Sequence, residues 1–114
     1  MREFYIAGVQ FHELKRIINA LEEGDLLTLV PEPTNKFDPN AVAIVAGDVM
    51  CGYVPKKFFA EISALIEVDG VDNLTCEIIE LNPSAKPWEQ CKVEITSTSD
   101  GIEGEDEEEV EGIE

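Results

Sequence analysis

Between Pro31 and Pro39 the chain reads PEPTNKFDP, and three prolines this close together constrain its folding more than any other feature. Proline lacks a backbone N–H and holds φ near −65°, so the stretch can be neither the interior of a helix nor a central strand. Apolar runs flank it, LLTLV before and AVAIVA after. It is therefore a stiff loop joining two strands, in which Asn35 can turn the chain and Pro39 disfavours the helical region for Asp38. A rigid apex carrying Phe37 and Asp38 offers a ring face on which a base can stack and an acceptor for a sugar hydroxyl, with Lys36 nearby for a phosphate. The bland alternative is that Phe37 plugs the end of a barrel and Asp38 caps the turn.

The rest of the chain alternates between strand and helix signals. REFYIAGVQ reads as a first strand that bends at Gly8. In FHELKRIINALEEGD, Leu14, Ile17, Ile18 and Leu21 fall on one helical face and Gly24 is placed to end the helix. DLLTLVPE is a strand, and NAVAIVA and VMCGYV form a hairpin about Gly47–Asp48. Pro55 opens a second helix over residues 55 to 67, with Phe58, Phe59, Ile62, Leu65 and Ile66 as its apolar stripe. LTCEIIEL and EQCKVEIT then pair as a closing hairpin across the turn-rich NPSAKPW. The order implies a mainly β, α+β chain: a small antiparallel barrel of about six strands carrying two helices.

Charge divides the chain. Its 114 residues suffice for one domain, and 25 acidic against 8 basic side chains give a net charge of −17. Residues 100–114 hold 9 acidic residues and no basic one, which leaves 16 acidic and 8 basic in residues 1–99, a charge of −8. The expected organisation is a domain over 1–99 and a disordered acidic tail over 100–114, acting as a solubiliser or as an electrostatic competitor for basic residues of the domain. No apolar run is long enough to cross a bilayer and the start lacks a signal-peptide pattern, so a soluble, cytoplasmic protein with no membrane partner is expected. Cys51, Cys76 and Cys91 are odd in number, lack a CxxC and sit in alternating stretches, so they read as reduced core thiols. With His12 far from all of them in sequence, no metal and no cofactor are expected.

An enzyme is not expected either. His12, the one histidine, stands where a helix begins and reads as a capping or surface residue, and neither GxGxxG nor GxxxxGK[ST] occurs. No catalytic residue is assigned.

FYIAGVQFH, LTLVPEPTNKFDPNAVAI, CGYVPKK and EIIELNPSAKPWEQCKVEI, in this order and spacing, resemble the HIRAN domain. That domain is found alone in bacteria and phages and at the N-terminus of helicase-like fork-remodelling translocases. The resemblance covers residues 4 to about 97 and rests on a composite signature, NxFDPNA followed by GYVP. It implies a modified OB-like barrel that, in the translocases, captures the 3′-hydroxyl end of single-stranded DNA. By this resemblance Phe37 stacks on a terminal base and Asp38 meets the 3′-hydroxyl. Phe11 falls on a second stacking aromatic, while Gln10 replaces an arginine, so one charged contact is lost. Tyr53 and Lys56 fall near positions that hold the phosphate backbone, Asn40 on an Asn of the loop, and Trp88 is a further stacking candidate. The implied partners are single-stranded DNA or DNA ends, with a helicase, nuclease or other repair protein on a separate chain. The body charge opposes attraction of a polyanion, against which Lys36, Lys56 and Lys57 are expected to form a small positive spot. The alternative is a protein-interaction or adaptor module that keeps the barrel without DNA affinity, its acidic tail engaging a basic partner.

Overall fold

The computed structural model describes residues 2–97; the acidic stretch 100–114, with the expectation that it is disordered, lies outside the described residues. Six strands form where the side chains alternate: β1 (Arg2–Tyr5), β2 (Leu26–Pro31), β3 (Val42–Ala46), β4 (Val49–Tyr53), β5 (Leu74–Leu81) and β6 (Cys91–Ser97). All pairings are antiparallel, in the order β1-β6-β5-β2-β3-β4. In β6 the alternation is complete: Cys91, Val93, Ile95 and Ser97 are buried while Lys92, Glu94 and Thr96 face outward. Period-two burial of this kind makes register costly to slip, because a shift of one residue would expose the whole apolar set.

The sheet curls until its two edges meet. Just past β1, Ala7 bridges Tyr53 of β4, with Ala7 N–H donating to Tyr53 O at 2.8 Å and Tyr53 N–H to Ala7 O at 2.9 Å. Gly52 makes this seam possible: a Cβ there would lie 2.4 Å from Ala7 O and 2.7 Å from the Ile6 side chain. Closing the edges also removes unpaired strand groups that would otherwise recruit another chain. The result is a curled antiparallel half-barrel of the OB-like kind expected from the sequence.

Two helices cover the barrel. α2 (Phe59–Asp69) is preceded by a 3₁₀ turn over Lys56–Phe58 and buries Ile62 fully, with Phe58, Phe59, Leu65 and Ile66 packed partly against the core. The first helix is a correction. Only Leu14–Ile17 (α1) is α-helical; a 3₁₀ turn over Ile18–Ala20 follows, and Leu21 is already extended, well before Gly24. Two β-branched isoleucines and an Asn are poor helix formers, and Glu13 at the N-cap makes no side-chain capping bond. The apolar face survives the change, since Leu14 and Ile18 are buried and Ile17 and Leu21 pack at its border.

The three thiols are free and buried. Burial pushes Cys76 and Cys91 up to about 12 and raises Cys51, so all three stay protonated and unreactive at neutral pH. Among the described residues no group of His, Cys, Asp or Glu is arranged to hold a metal ion, and no helix is long and apolar enough to cross a membrane.

Candidate nucleic-acid interface

The loop between β2 and β3 is built on two side chains, Glu32 and Asn35. At its base Glu32 N–H donates across to Ala41 O at 2.9 Å, extending the β2–β3 ladder, and Ala41 N–H closes a local turn onto Asp38 O at 3.0 Å. At the apex Asn35 Oδ1 accepts from the N–H groups of Phe37, at 2.8 Å, and Asp38, at 3.1 Å. Its Nδ2 donates to Glu32 Oε1 at 2.9 Å, and the same oxygen accepts the Tyr53 hydroxyl at 2.8 Å. The prolines thus limit the backbone, and the Asn and Glu side chains select one shape within those limits.

That shape leaves Phe37 94% exposed. Burying a phenylalanine is worth about 1.5–3 kcal/mol, so a ring held in water on an ordered apex forgoes stability that a core position would have gained. Phe37 does not plug the barrel. Its position fits a surface that meets a partner's flat apolar face.

Beside it lies a concave site of about 390 Å³ against the seam of the barrel. Tyr53 forms its wall, with the His12 ring 5.6 Å away and tilted by 57°, and Phe59 edge-on at 6.4 Å. Phe37 and Asp38 come from the loop, and Lys56 stands exposed on the turn before α2. Asp38 Oδ1 accepts the Asn40 N–H at 2.8 Å, and Oδ2 has no protein partner among the described residues. Burial, first, and then the hydrogen bond to Glu32 and its charge raise the Tyr53 hydroxyl above its ordinary 10. Tyr53 is therefore a neutral donor at physiological pH. Aromatic walls, one carboxylate and one ammonium can hold a flat ring, a hydroxyl and an anion together.

Of the residues singled out from sequence, Phe37, Asp38, Tyr53 and Lys56 line this site together. Gln10 and Phe11 do not: they stand on a 3₁₀ turn, Val9–Phe11, where Phe11 is 77% exposed. That turn packs beside another, Pro87–Glu89, on which Trp88 is 53% exposed with Lys86 Nζ 5.7 Å from its ring centre. Asn40 lies on the loop, its Oδ1 accepting from Ser63 Oγ at 3.4 Å, outside the lining. The expected positive spot is reduced to Lys56, since Lys36 is outside the lining and Lys57 lies against the Phe58 ring at 5.2 Å. Sequence reading missed His12, which looked like a helix cap, and Phe59, which was counted as core.

The exposed aromatic loop facing the closing seam of the half-barrel frames a cleft suited to binding a flat ring beside an anion. The HIRAN domain family matches residues 1–100, and the chain belongs to that family, whose fold binds nucleic acids in helicase-like proteins. The fold is similar to that of a protein from Lactobacillus plantarum, with a TM-score of 0.70 at 15% identity over 83% of this chain and 89% of that one. It is also similar to the HIRAN domain of human HLTF, with a TM-score of 0.62 at 10% identity over 84% of this chain and 73% of that one. By sequence, no curated protein matches the chain.

Proposed function

We propose that the chain is a nucleic-acid-binding module that takes single-stranded DNA ends bearing a free 3′-hydroxyl, without catalysis of its own. It serves DNA repair or replication in the cytoplasm, beside a helicase, nuclease or other repair protein on a separate chain. The observation that carries this reading is the almost fully exposed Phe37 ring, held on a hydrogen-bonded apex beside Asp38, Tyr53 and Lys56. In the proposed complex the terminal base stacks on Phe37, Asp38 Oδ2 accepts the 3′-hydroxyl, and Lys56 meets the last phosphate, while Tyr53, whose hydroxyl proton is held by Glu32, serves as an aromatic wall. Phe11 and Trp88, on adjacent turns, offer further stacking surface to the following bases.

Fluorescence anisotropy of a short labelled strand at low salt tests this. Tighter binding of a free 3′-hydroxyl than of a 3′-phosphate is expected, because a phosphate ester has no hydroxyl to donate and would bring its charge against Asp38. Equal binding of the two would remove the end-recognition role.

One observation favours a second reading, that of a protein-interaction module. Residues 1–99 carry −8, and of the three lysines expected at the site only Lys56 lines it. A cleft with so little positive charge gains little from counterion release. Absence of binding to either strand, with retention of a basic protein partner, would establish that reading instead.

A further inference from the structure

One carboxylate joins the apex of the loop to the wall it faces. Glu32 Oε1 accepts both the Tyr53 hydroxyl and Asn35 Nδ2, and Asn35 in turn accepts the N–H groups of Phe37 and Asp38. Tyr53 is itself fixed, its backbone in the bridge to Ala7 and its ring between His12 and Phe59. The backbone bonds of the loop, Glu32 N–H to Ala41 O, Asn35 N–H to Glu32 O and Ala41 N–H to Asp38 O, shape it from within, and none of them joins it to Tyr53. We propose that Glu32 is the positioning residue of the cleft: its Oε1 fixes the Phe37–Asp38 apex against Tyr53 and so sets the gap a ligand must fit.

The electrostatics strengthen the inference. A half-buried carboxylate beside a cleft for a polyanion opposes the ligand's charge. Its place there is accounted for by geometry, because a single oxygen with two lone pairs satisfies two donors from different parts of the chain. Glu32 touches no ligand atom in the proposed complex; it acts through Asn35 and Tyr53. A gap held in advance also lowers the ordering cost of binding, since the loop does not have to be immobilised by the ligand.

As far as affinity is concerned, this inference rests on the nucleic-acid reading; as far as geometry is concerned, it does not, and the test separates the two. In the full chain, Glu32→Ala removes both acceptor contacts, Glu32→Gln keeps an acceptor oxygen in the same place, and Tyr53→Phe cuts only the link to the wall. Backbone ¹⁵N relaxation is expected to give order parameters for Phe37 and Asp38 of about 0.85 in the wild type and below about 0.6 in Glu32→Ala, with Glu32→Gln close to wild type and Tyr53→Phe between. Anisotropy with the 3′-hydroxyl strand is expected to show about a tenfold loss for Glu32→Ala. For Glu32→Gln it should show no loss, since the repelling charge is gone and the acceptor remains.

Unchanged order at Phe37 and Asp38 in Glu32→Ala would overturn the positioning role. If Glu32→Ala does not fold, Tyr53→Phe, which deletes one oxygen, decides in the same way. A wild type that binds no DNA, with an apex that loosens in Glu32→Ala, would remove the nucleic-acid reading and leave the positioning role in place.

Discussion

Two loops of this barrel start from the same ingredients and end differently. The β2–β3 loop, residues 32–41, and the β5–β6 connection, residues 82–90, each carry prolines, an Asn that builds a local turn and one large exposed aromatic, Phe37 in the first and Trp88 in the second. Each also has a Tyr–Glu hydrogen bond at its root: Tyr53 to Glu32 at 2.8 Å, and Tyr5 to Glu80 at 3.1 Å. In the second loop the bonds stay inside the loop. Asn82 Oδ1 accepts Ser84 N–H, and Gln90 Nε2 donates to Pro83 O and Ala85 O. Glu80 passes nothing on to that apex, and the Trp88 ring is covered in part by Lys86. In the first loop Glu32 hands the contact on to Asn35, so the apex is tied to β4, the edge strand beside β3. A stiff loop becomes one side of a cleft only when it is fastened to the other side.

The largest expected effect comes from moving the wall to which the first loop is fastened. Gly52→Ala would place a Cβ 2.4 Å from Ala7 O, and backbone on that side cannot yield without opening the seam. Overpacking of this kind costs about 3 kcal/mol or more, read as a lower urea midpoint at unchanged slope. The β5–β6 half of the sheet should keep its amide protection longest, since the seam does not involve it. Uniform loss of protection across both halves would show that the seam supports the whole fold rather than the cleft alone.

Next come the two aromatics. Phe37→Ala is expected to change stability by less than about 0.5 kcal/mol, because the ring is almost fully in water, and to weaken binding of a single strand by about 2 kcal/mol. Trp88→Ala should do the reverse in proportion: a smaller loss of binding, and a loss of stability of about 0.5 kcal/mol from the missing Lys86 contact. Equal losses of affinity from the two substitutions would mean that the loops do the same work and that the tether is irrelevant.

How much of this was legible in the sequence follows from where the signals lie. Strands β5 and β6 announce themselves because period-two alternation is local, and the β3–β4 hairpin because Gly47–Asp48 is a turn dipeptide flanked by apolar runs. Phe37 and Asp38 were readable because three prolines leave few conformations for what lies between them. His12 was not readable as a wall residue, since its neighbour Tyr53 is 41 positions away and meets it only when the seam closes. Phe59 belongs to a helical stripe whose members all look like core, and nothing local says that one of them borders a cleft. The break in α1 was hidden for a related reason: the spacing of Leu14, Ile17, Ile18 and Leu21 fits an α-helix and a helix that tightens into a 3₁₀ turn alike. Glu32 could have been suspected from its place three residues before Asn35, but its second partner is again long-range.

Asp38 gives a smaller and more selective effect. Asp38→Ala is expected to reduce the preference for a 3′-hydroxyl strand over a 3′-phosphate strand by about 1.5 kcal/mol, to near zero, by weakening the hydroxyl form and, with the repelling carboxylate gone, strengthening the phosphate form. Loss of the Asn40 N–H bond accompanies it. Asp38→Asn keeps an acceptor for that amide, so loss of the preference in both variants assigns it to the carboxylate, and retention in Asp38→Asn would assign it to loop shape.

The smallest effect distinguishes the two Tyr–Glu pairs themselves. Tyr53 is raised chiefly by burial, then by Glu32; Tyr5 is raised chiefly by its hydrogen bond to Glu80. In both cases the folded state favours the protonated phenol, so the stability each contributes is complete below the ordinary value of 10 and is lost as pH rises through the higher folded value. Absorbance titration of single-tyrosine variants reads this directly. In Tyr5→Phe, adding Glu32→Gln should lower the Tyr53 midpoint but leave it above 10, because burial remains. In Tyr53→Phe, adding Glu80→Gln should return Tyr5 closer to 10, because its main cause has been removed. A Tyr53 midpoint that fell all the way to 10 would mean that the phenol is solvated and held by Glu32 alone, and the wall that fixes the first loop would then be as loose as the root of the second.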